Sequence, residues 1–139
     1  MVQDCDCASG LAYGDCCEPY LTGRAMAPTA EALMRSRYTA FVRGNVDYLI
    51  QTLHPAQREP QDRRLLRQSM QQTQWLKLTV IKTQKGQPQD KTGVVEFVAQ
   101  YRETQAQGFD AATVHQLHER SRFIQTSGQW FYVTGEHLP

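Results

Sequence analysis

The residues of this chain best suited to chemistry are four cysteines near its amino terminus. They form two short clips, Cys5 with Cys7 and Cys16 with Cys17, and eight residues separate the clips. Zinc binds four thiolates in a tetrahedron at about 2.3 Å, and two such clips joined by a turn supply that ligand set. Two glycines in the connection allow the backbone to reverse over this short path. The pattern predicts one structural zinc ion with no open coordination position.

Disulfide bonds are the main alternative use of these cysteines. A bridge between adjacent cysteines is strained, and one between Cys5 and Cys7 is nearly as awkward. Bridges between the two clips are geometrically feasible, and redox-active or idle thiols remain further alternatives. The start, Met-Val-Gln-Asp-Cys, lacks the basic and then apolar pattern of a signal peptide. We therefore expect a protein of the reducing cytoplasm, where disulfides are rare.

The cysteine spacing resembles the SEC-C motif, a short zinc-binding module found at the carboxyl terminus of the translocase motor SecA and in other bacterial proteins. That motif reads Cys-Pro-Cys-Gly-Ser-Gly, then a lysine-rich stretch with a tyrosine, then Cys-Cys or Cys-His. The matching positions here are Cys5, Cys7, Ser9, Gly10, Tyr13, Cys16 and Cys17. The resemblance implies zinc binding through the four cysteines. Asp6 and Ala8 replace the usual proline and glycine, and the lysines are missing, so the basic surface of the motif is lost.

Size and composition indicate a globular protein with one main domain and a small appendage. The chain has 139 residues, of which 40% are hydrophobic and 21% are charged. It contains no apolar run of the 18 or so residues that a membrane span requires. We assign residues 1–23 to the knuckle and residues 24–139 to an α+β domain, and we expect no contact with a membrane.

The net charge of +1 conceals an asymmetry between these two parts. Residues 1–23 contain four acidic residues and neither lysine nor arginine, so the rest of the chain is net basic. Opposite charges would hold the knuckle against the body. An acidic knuckle repels phosphates, so nucleic acid is not an expected partner. RNA association through the arginines of the body is a weaker alternative.

Apolar residues recur at helical spacing after the knuckle and at strand spacing from Trp75 onwards. Thr29 is the expected N-cap of the first long helix, and Gly44 is expected to end it. The predicted helices span 30–43, 46–53 and 59–72, and the predicted strands span 75–83, 93–103, 113–125 and 129–135. The residues expected to face inward include Leu65, Leu66 and Met70 on the third helix and Leu76, Leu78 and Val80 on the first strand. This order indicates an α+β domain with helices on one face of a curved antiparallel sheet.

Several local runs, in this order, resemble the YchJ-like family of bacterial proteins. They are Met34-Arg35-Ser36-Arg37-Tyr38, Asp47-Tyr48-Leu49-Ile50 with His54-Pro55, Trp75-Leu76, Val95-Glu96-Phe97-Val98-Ala99 and His118-Glu119-Arg120-Ser121-Arg122-Phe123. The resemblance implies a SEC-C knuckle fused to a cone-shaped domain of the nuclear transport factor 2-like (NTF2-like) kind. It implies no particular reaction.

The candidate site of the body lies on the third strand. Glu119 shares a predicted face with Leu117 and Phe123, so its carboxylate requires a cation. Arg37, which lies within the apolar stripe of the first long helix, is the expected partner. In a functional interpretation, Glu119 or His118 is a general base, and Arg35 or Arg37 binds a small acidic ligand. The simpler interpretation, which we favour, is a buried ion pair between Arg37 and Glu119 that fixes the helix on the sheet.

Two functions follow from this site and the knuckle. The favoured one is a protein-interaction module, without enzymatic activity, in which zinc stiffens the knuckle and the body offers a surface to a protein partner. The alternative is a small-molecule-binding protein or an isomerase- or dehydratase-like enzyme that uses the cavity of the cone, with Glu119, Arg37 and Tyr38 at its floor. A water-filled cavity, with Glu119 open to it and not fully capped by arginine, would favour the alternative. A cavity packed with aromatic side chains would favour the interaction module.

Overall fold

The computed structural model describes residues 3–105 and 107–139. The first two residues of the knuckle assigned to 1–23 lie outside the described part. Short 3-10 turns connect the main elements. The main elements are α1 (Glu18–Leu21), α2 (Ala30–Arg43), α3 (Val46–Thr52), α4 (Asp62–Gln72), β1 (Thr73–Lys85), β2 (Thr92–Glu103), β3 (His115–Thr126) and β4 (Gln129–His137).

Helix α2 begins and ends where its capping residues predict. The Thr29 side chain accepts a hydrogen bond from the Ala32 amide at 3.0 Å, which satisfies a donor of the first turn. Gly44 follows the last turn with φ of 74°, a conformation that glycine adopts without a steric penalty. Asn45 then caps α3 through the Tyr48 amide at 3.0 Å. The predictions for both ends of α2 are confirmed.

The four strands form one antiparallel sheet in the order β1-β2-β3-β4. The predicted inner face of β2 is confirmed, because Val95, Phe97 and Ala99 are buried. The predicted inner face of β3 is confirmed as well. The β3–β4 connection turns at Ser127 and Gly128, whose φ angles of 52° and 80° match the expected tight hairpin. Helices pack on this inner face, so the α+β architecture is the predicted one.

Two inward-facing predictions are wrong. On β1 the register shifts between Trp75 and Lys77, so that Trp75 and Leu78 share the inner face and Leu76 is 37% exposed. A bulge inserts one residue and reverses the alternation, which a period of two does not anticipate. On α4, Leu65 is 45% exposed, whereas its neighbour Leu66 packs on the core.

The start of α2 contacts the β1–β2 hairpin through small residues. The Ala30 amide donates to the Gly86 carbonyl at 2.9 Å, and a Cβ placed on Gly93 would lie 2.8 Å from the Ala30 Cβ. On the other side, the indole of Trp130, only 1% exposed, donates to the Pro28 carbonyl at 3.2 Å. These contacts fix α2 over the sheet. None of the helices in residues 3–105 and 107–139 combines the length and the apolar character of a membrane span.

Candidate metal centre and cavity

The four cysteine sulfurs lie close together at the amino-terminal end of the molecule. All four are within 4.8 Å of one another, and Cys16 Sγ lies 3.5 Å from Cys7 Sγ and 3.8 Å from Cys17 Sγ. Thiolates at about 2.3 Å from zinc in a tetrahedron are separated by roughly 3.8 Å, so the cluster fits the ion. The sulfurs are too far apart to be bonded, since a disulfide measures about 2.05 Å.

The knuckle backbone brings the two clips together as the sequence predicts. The Cys5 amide donates to the Leu11 carbonyl at 2.9 Å, and Gly10 turns the chain with φ of 87°. Ala8, at the position where the SEC-C motif usually has glycine, has φ of 62°. This left-handed conformation costs a residue with a side chain about 1–2 kcal/mol. Ala8 thus adopts a backbone conformation that favours glycine.

The cluster requires a cation if its thiols are to ionise together. Hydrogen bonds from neighbouring thiols, chiefly that of Cys17, lower the pKa of Cys7 to about 4. The pKa of Cys17 is raised, mainly by its hydrogen bond to Cys7, and burial raises the pKa of Cys16 to about 11. Without a cation among them, the sulfurs would thus share their negative charge unequally. A dication at the centre of the cluster would allow all four thiols to ionise, because it stabilises each thiolate.

Helix α2 holds the knuckle through residues that sequence analysis did not connect with the metal. We call Arg35, Thr39 and Arg43 the α2 stripe, since they lie one turn apart on one side of the helix. Arg35 donates to the Cys7 carbonyl at 2.7 Å and to Glu31 at 2.9 Å. Arg43 pairs with Asp6 at 2.8 Å, and its guanidinium lies 3.5 Å from the centre of the Tyr13 ring. The four-residue spacing of the α2 stripe and the acidity of the knuckle are the sequence signals that would have revealed this contact between helix and knuckle.

On its opposite side, α2 lines a cavity of about 250 Å³ between the helices and the sheet. The walls are mainly apolar and aromatic, and the polar groups are few. Trp75 and Leu117 stand where this cavity adjoins a wider surface groove. The helical lining residues include Met34, Arg37, Tyr38 and Phe41, and those of the sheet include Phe97, Ala99, Glu119, Ser121, Phe123 and Tyr132.

The predicted ion pair between Arg37 and Glu119 is wrong, because no ion pair joins these two described side chains. Arg37 instead donates from Nη1 to the Leu49 carbonyl at 2.9 Å and to the Thr52 hydroxyl at 2.6 Å. Its guanidinium also lies 4.6 Å from the centre of the Tyr132 ring. The partial negative charge at the carboxyl end of α3 takes the place of the carboxylate. Burial lowers the pKa of Arg37 to about 10, so the side chain remains charged at neutral pH.

Glu119 lies in the cavity wall, and its carboxylate contacts a serine hydroxyl and a histidine ring. Its side chain is 11% exposed, and Ser121 donates to Oε2 at 2.5 Å. His137 Nε2, on the exposed edge strand, lies 3.3 Å from Oε1. Burial, with the nearby negative charge of Glu119 adding to it, raises the pKa of Tyr132 to about 12. The cavity therefore contains one cation and one carboxylate that do not neutralise each other by contact.

The structure separates the other candidate residues from the cavity. His118 lies on the opposite face of the sheet, where Nε2 is 2.8 Å from Glu96 Oε2. Arg35 contacts the knuckle, and its predicted role as an anion clamp does not fit this position. Tyr38 does line the cavity. Arg37, Glu119 and Tyr38 thus line the same cavity, whereas His118 and Arg35 lie outside it.

Helices packed on one face of a curved antiparallel sheet, with a four-cysteine knuckle at the amino terminus, define an NTF2-like protein that carries a SEC-C motif. The family model described as YchJ, middle NTF2-like domain, matches residues 29–135. This chain belongs to the YchJ-like family.

Individual relatives agree with this assignment over nearly the whole chain. A UPF0225 protein of Pectobacterium carotovorum is 45% identical over 139 residues, which cover 99% of this chain and 86% of the relative. The solution structure of a SEC-C motif containing protein from Rhodopseudomonas palustris has a TM-score of 0.85 at 34% identity, with 99% of this chain and 100% of that chain covered. A crystal structure of a SEC-C motif containing protein from Psychrobacter arcticus has a TM-score of 0.74 at 27% identity, with 95% and 81% covered.

Proposed function

We propose that this protein binds a small, mainly apolar molecule with one anionic group in its cavity, and that a structural zinc ion holds the knuckle on the body. The observation that carries the proposal is that one apolar cavity holds Arg37 and Glu119 with no ion pair between these two described side chains. Burying two opposite charges that do not pair with each other is costly, and such groups are concentrated at functional sites. The open cavity, with its glutamate free of arginine, is the outcome that favours ligand binding over the interaction module.

The size and polarity of the cavity restrict the ligand. Sites for drug-sized molecules measure about 300–1000 Å³, so a cavity of about 250 Å³ suits a smaller molecule. Both hydrogen bonds of Arg37 use Nη1, which leaves the rest of the planar guanidinium for a carboxylate or similar anion. Glu119 is placed to accept a hydrogen bond from the same ligand. The aromatic walls match an aromatic or branched aliphatic body.

The zinc part of the proposal rests on the ligand set. Zinc held by four thiolates is typically structural: the ion contributes to folding energy, and the site keeps no open coordination position. Cys5, Cys7 and Cys17 are buried. We therefore propose a structural role for the zinc ion. We also propose that the protein is cytoplasmic, because a reducing environment preserves the thiolates.

The test of ligand binding uses a panel of small aromatic and aliphatic carboxylates and follows the indole N–H signal of Trp75 by nuclear magnetic resonance. Some members should shift this signal with saturation. Arg37→Gln should weaken their binding at least about tenfold, because a hydrogen bond to a charged group contributes roughly 1.5–3 kcal/mol. The control is Arg120→Gln, which alters an exposed arginine on the outer face of the sheet. A panel without any shift, or equal binding by Arg37→Gln, would contradict the proposal.

Protein binding by the knuckle stays a prediction. A groove between the knuckle and α2 supports it as a second candidate, because Leu11 at its edge is 53% exposed. The experiment compares partners co-purified with the intact protein and with a Cys16→Ser/Cys17→Ser variant. A partner that is lost together with the metal, and is also lost from Leu11→Ser with its metal retained, would support this role. Identical partners for all three proteins would contradict it.

A further inference from the structure

The hydroxyl of Thr39 reaches the cysteine cluster from the body of the protein. Thr39 is fully buried, and its Oγ1 donates to Cys17 Sγ at 3.4 Å. The same oxygen lies 3.8 Å from Cys5 Sγ. In the middle of a helix a threonine hydroxyl usually bonds to the carbonyl one turn earlier or points to solvent. Here it is aimed at sulfur, across 22 and 34 residues of sequence.

A second hydroxyl, that of Ser9, contacts a different sulfur of the cluster. Ser9 Oγ lies 3.2 Å from Cys16 Sγ. Ser9 belongs to the knuckle and matches the SEC-C motif, whereas Thr39 belongs to α2. The cluster thus has one hydroxyl neighbour from within the knuckle and one from the body. Arg35, one turn before Thr39, donates to the Cys7 carbonyl and places a positive charge beside the cluster.

We propose that Thr39 is a positioning residue of the metal centre, through which the NTF2-like body sets the affinity of the knuckle for zinc. A centre of four thiolates and one zinc ion carries two negative charges, and a buried charge needs hydrogen-bond donors. A hydroxyl that donates to a thiolate stabilises the deprotonated ligand, which is the form that binds metal. Partners of this kind contribute about 10–100-fold to metal affinity.

The principal test compares Thr39→Val with Thr39→Ser. Valine has nearly the shape of threonine and lacks the hydroxyl, whereas serine keeps the hydroxyl. The dissociation constant for zinc is measured by competition with a chromophoric chelator in the full-length protein. Thr39→Val should raise it about tenfold or more, and Thr39→Ser should stay within about threefold of the unaltered protein. Zinc binding of Thr39→Val at the original affinity would overturn the proposal, as would an equal loss in both variants.

Spectroscopy of metal-loaded protein separates a hydrogen bond from simple packing. In protein loaded with cadmium-113, the hydroxyl proton of Thr39 should exchange slowly with solvent and show scalar coupling to the metal through the Cys17 sulfur. Cobalt-loaded Thr39→Val should also show a shifted thiolate-to-metal charge-transfer band, while Thr39→Ser should keep the original band. A slowly exchanging hydroxyl proton without coupling, or a proton in fast exchange, would contradict a hydrogen bond to the thiolate.

Discussion

Arg37 shows how a buried charge is accommodated without an opposite charge in contact. Its two hydrogen bonds go to a carbonyl and a hydroxyl of α3, and its guanidinium carbon lies over the Tyr132 ring, 4.6 Å from the ring centre. These neutral partners stabilise the guanidinium, while Glu119 accepts a hydrogen bond from Ser121 and lies beside His137. A direct pair would have neutralised both groups and made the site purely structural. The absence of contact between these two side chains is therefore the feature that makes the cavity a candidate binding site.

His118 and Glu96 form the clearest pH-sensitive pair among the described residues. A hydrogen bond with Glu96, and a weaker one with the Pro139 carbonyl, raise the pKa of His118, and the His118 contact lowers that of Glu96. The stabilisation of protonated His118 is fully present below its unfolded pKa of about 6.5 and is lost as the pH rises through the folded pKa. That of Glu96 is present above its unfolded pKa of about 4.3 and is lost as the pH falls through the folded pKa.

Glu96→Gln is expected to lower the pKa of His118 towards its ordinary value. The reason is that the glutamine amide removes the negative charge that favours the imidazolium. A titration of the histidine ring signals by nuclear magnetic resonance measures the change, and His115, 4.0 Å from a different carboxylate, is the internal control. An unchanged pKa of His118 in the variant would assign the shift to another cause. A parallel change of His115 would indicate a general disturbance of the sheet.

The contact between α2 and the first hairpin depends on the lack of a side chain at Gly93. A Cβ there would lie 2.6 Å from the Gly86 Cα and 2.8 Å from the Ala30 Cβ, which is closer than atoms tolerate. Gly93→Ala should therefore lower the free energy of unfolding by about 1–3 kcal/mol, as overpacking usually does. Urea denaturation monitors the loss. Gly14→Ala is the matched control, since a Cβ there meets only one atom, at 4.0 Å. Equal stability of both variants would mean that the hairpin moves away freely.

The sequence predicted the elements that have a simple period and missed those whose geometry depends on a partner. Thr29 and Gly44 mark the ends of α2 through local chemistry, so both were predictable. Leu76 was misplaced because a bulge depends on the neighbouring strand as well as on the strand itself. Arg37 was paired wrongly because the carbonyl that it binds carries no side-chain signature. The four cysteines were predictable from their spacing, whereas the contact of Thr39 with Cys17 depends on how α2 packs against the knuckle.

Helix α2 connects the cysteine cluster with the cavity. The α2 stripe faces the knuckle, while Met34, Arg37 and Phe41 on the other side of the same helix line the cavity. Cys5, Cys7 and Cys17 belong to the same buried cluster as the helix. The knuckle is thus packed into the core of the body. We therefore expect a change in metal content to change the local stability of α2.

Removal of zinc should loosen α2 while leaving the centre of the sheet intact. The starting material is protein purified without chelator, in which we expect one zinc ion per chain by elemental analysis. After chelation, the amides of the α2 stripe should exchange with deuterium at least about tenfold faster, because α2 loses its contacts with an ordered knuckle. The amides of β2 and β3, which pair with each other over ten residues, should remain protected.

Two controls make this prediction specific. Reloading with zinc should restore protection of α2, and the Cys16→Ser/Cys17→Ser variant should exchange like the chelated protein with or without added zinc. If α2 stays protected after the metal is removed, the body holds its helix without the knuckle, and the two sites are independent. If the sheet also loses protection, zinc supports the entire core, as it does in small metal-dependent domains. Selective loss along α2 would establish a physical route from the metal centre to the cavity wall.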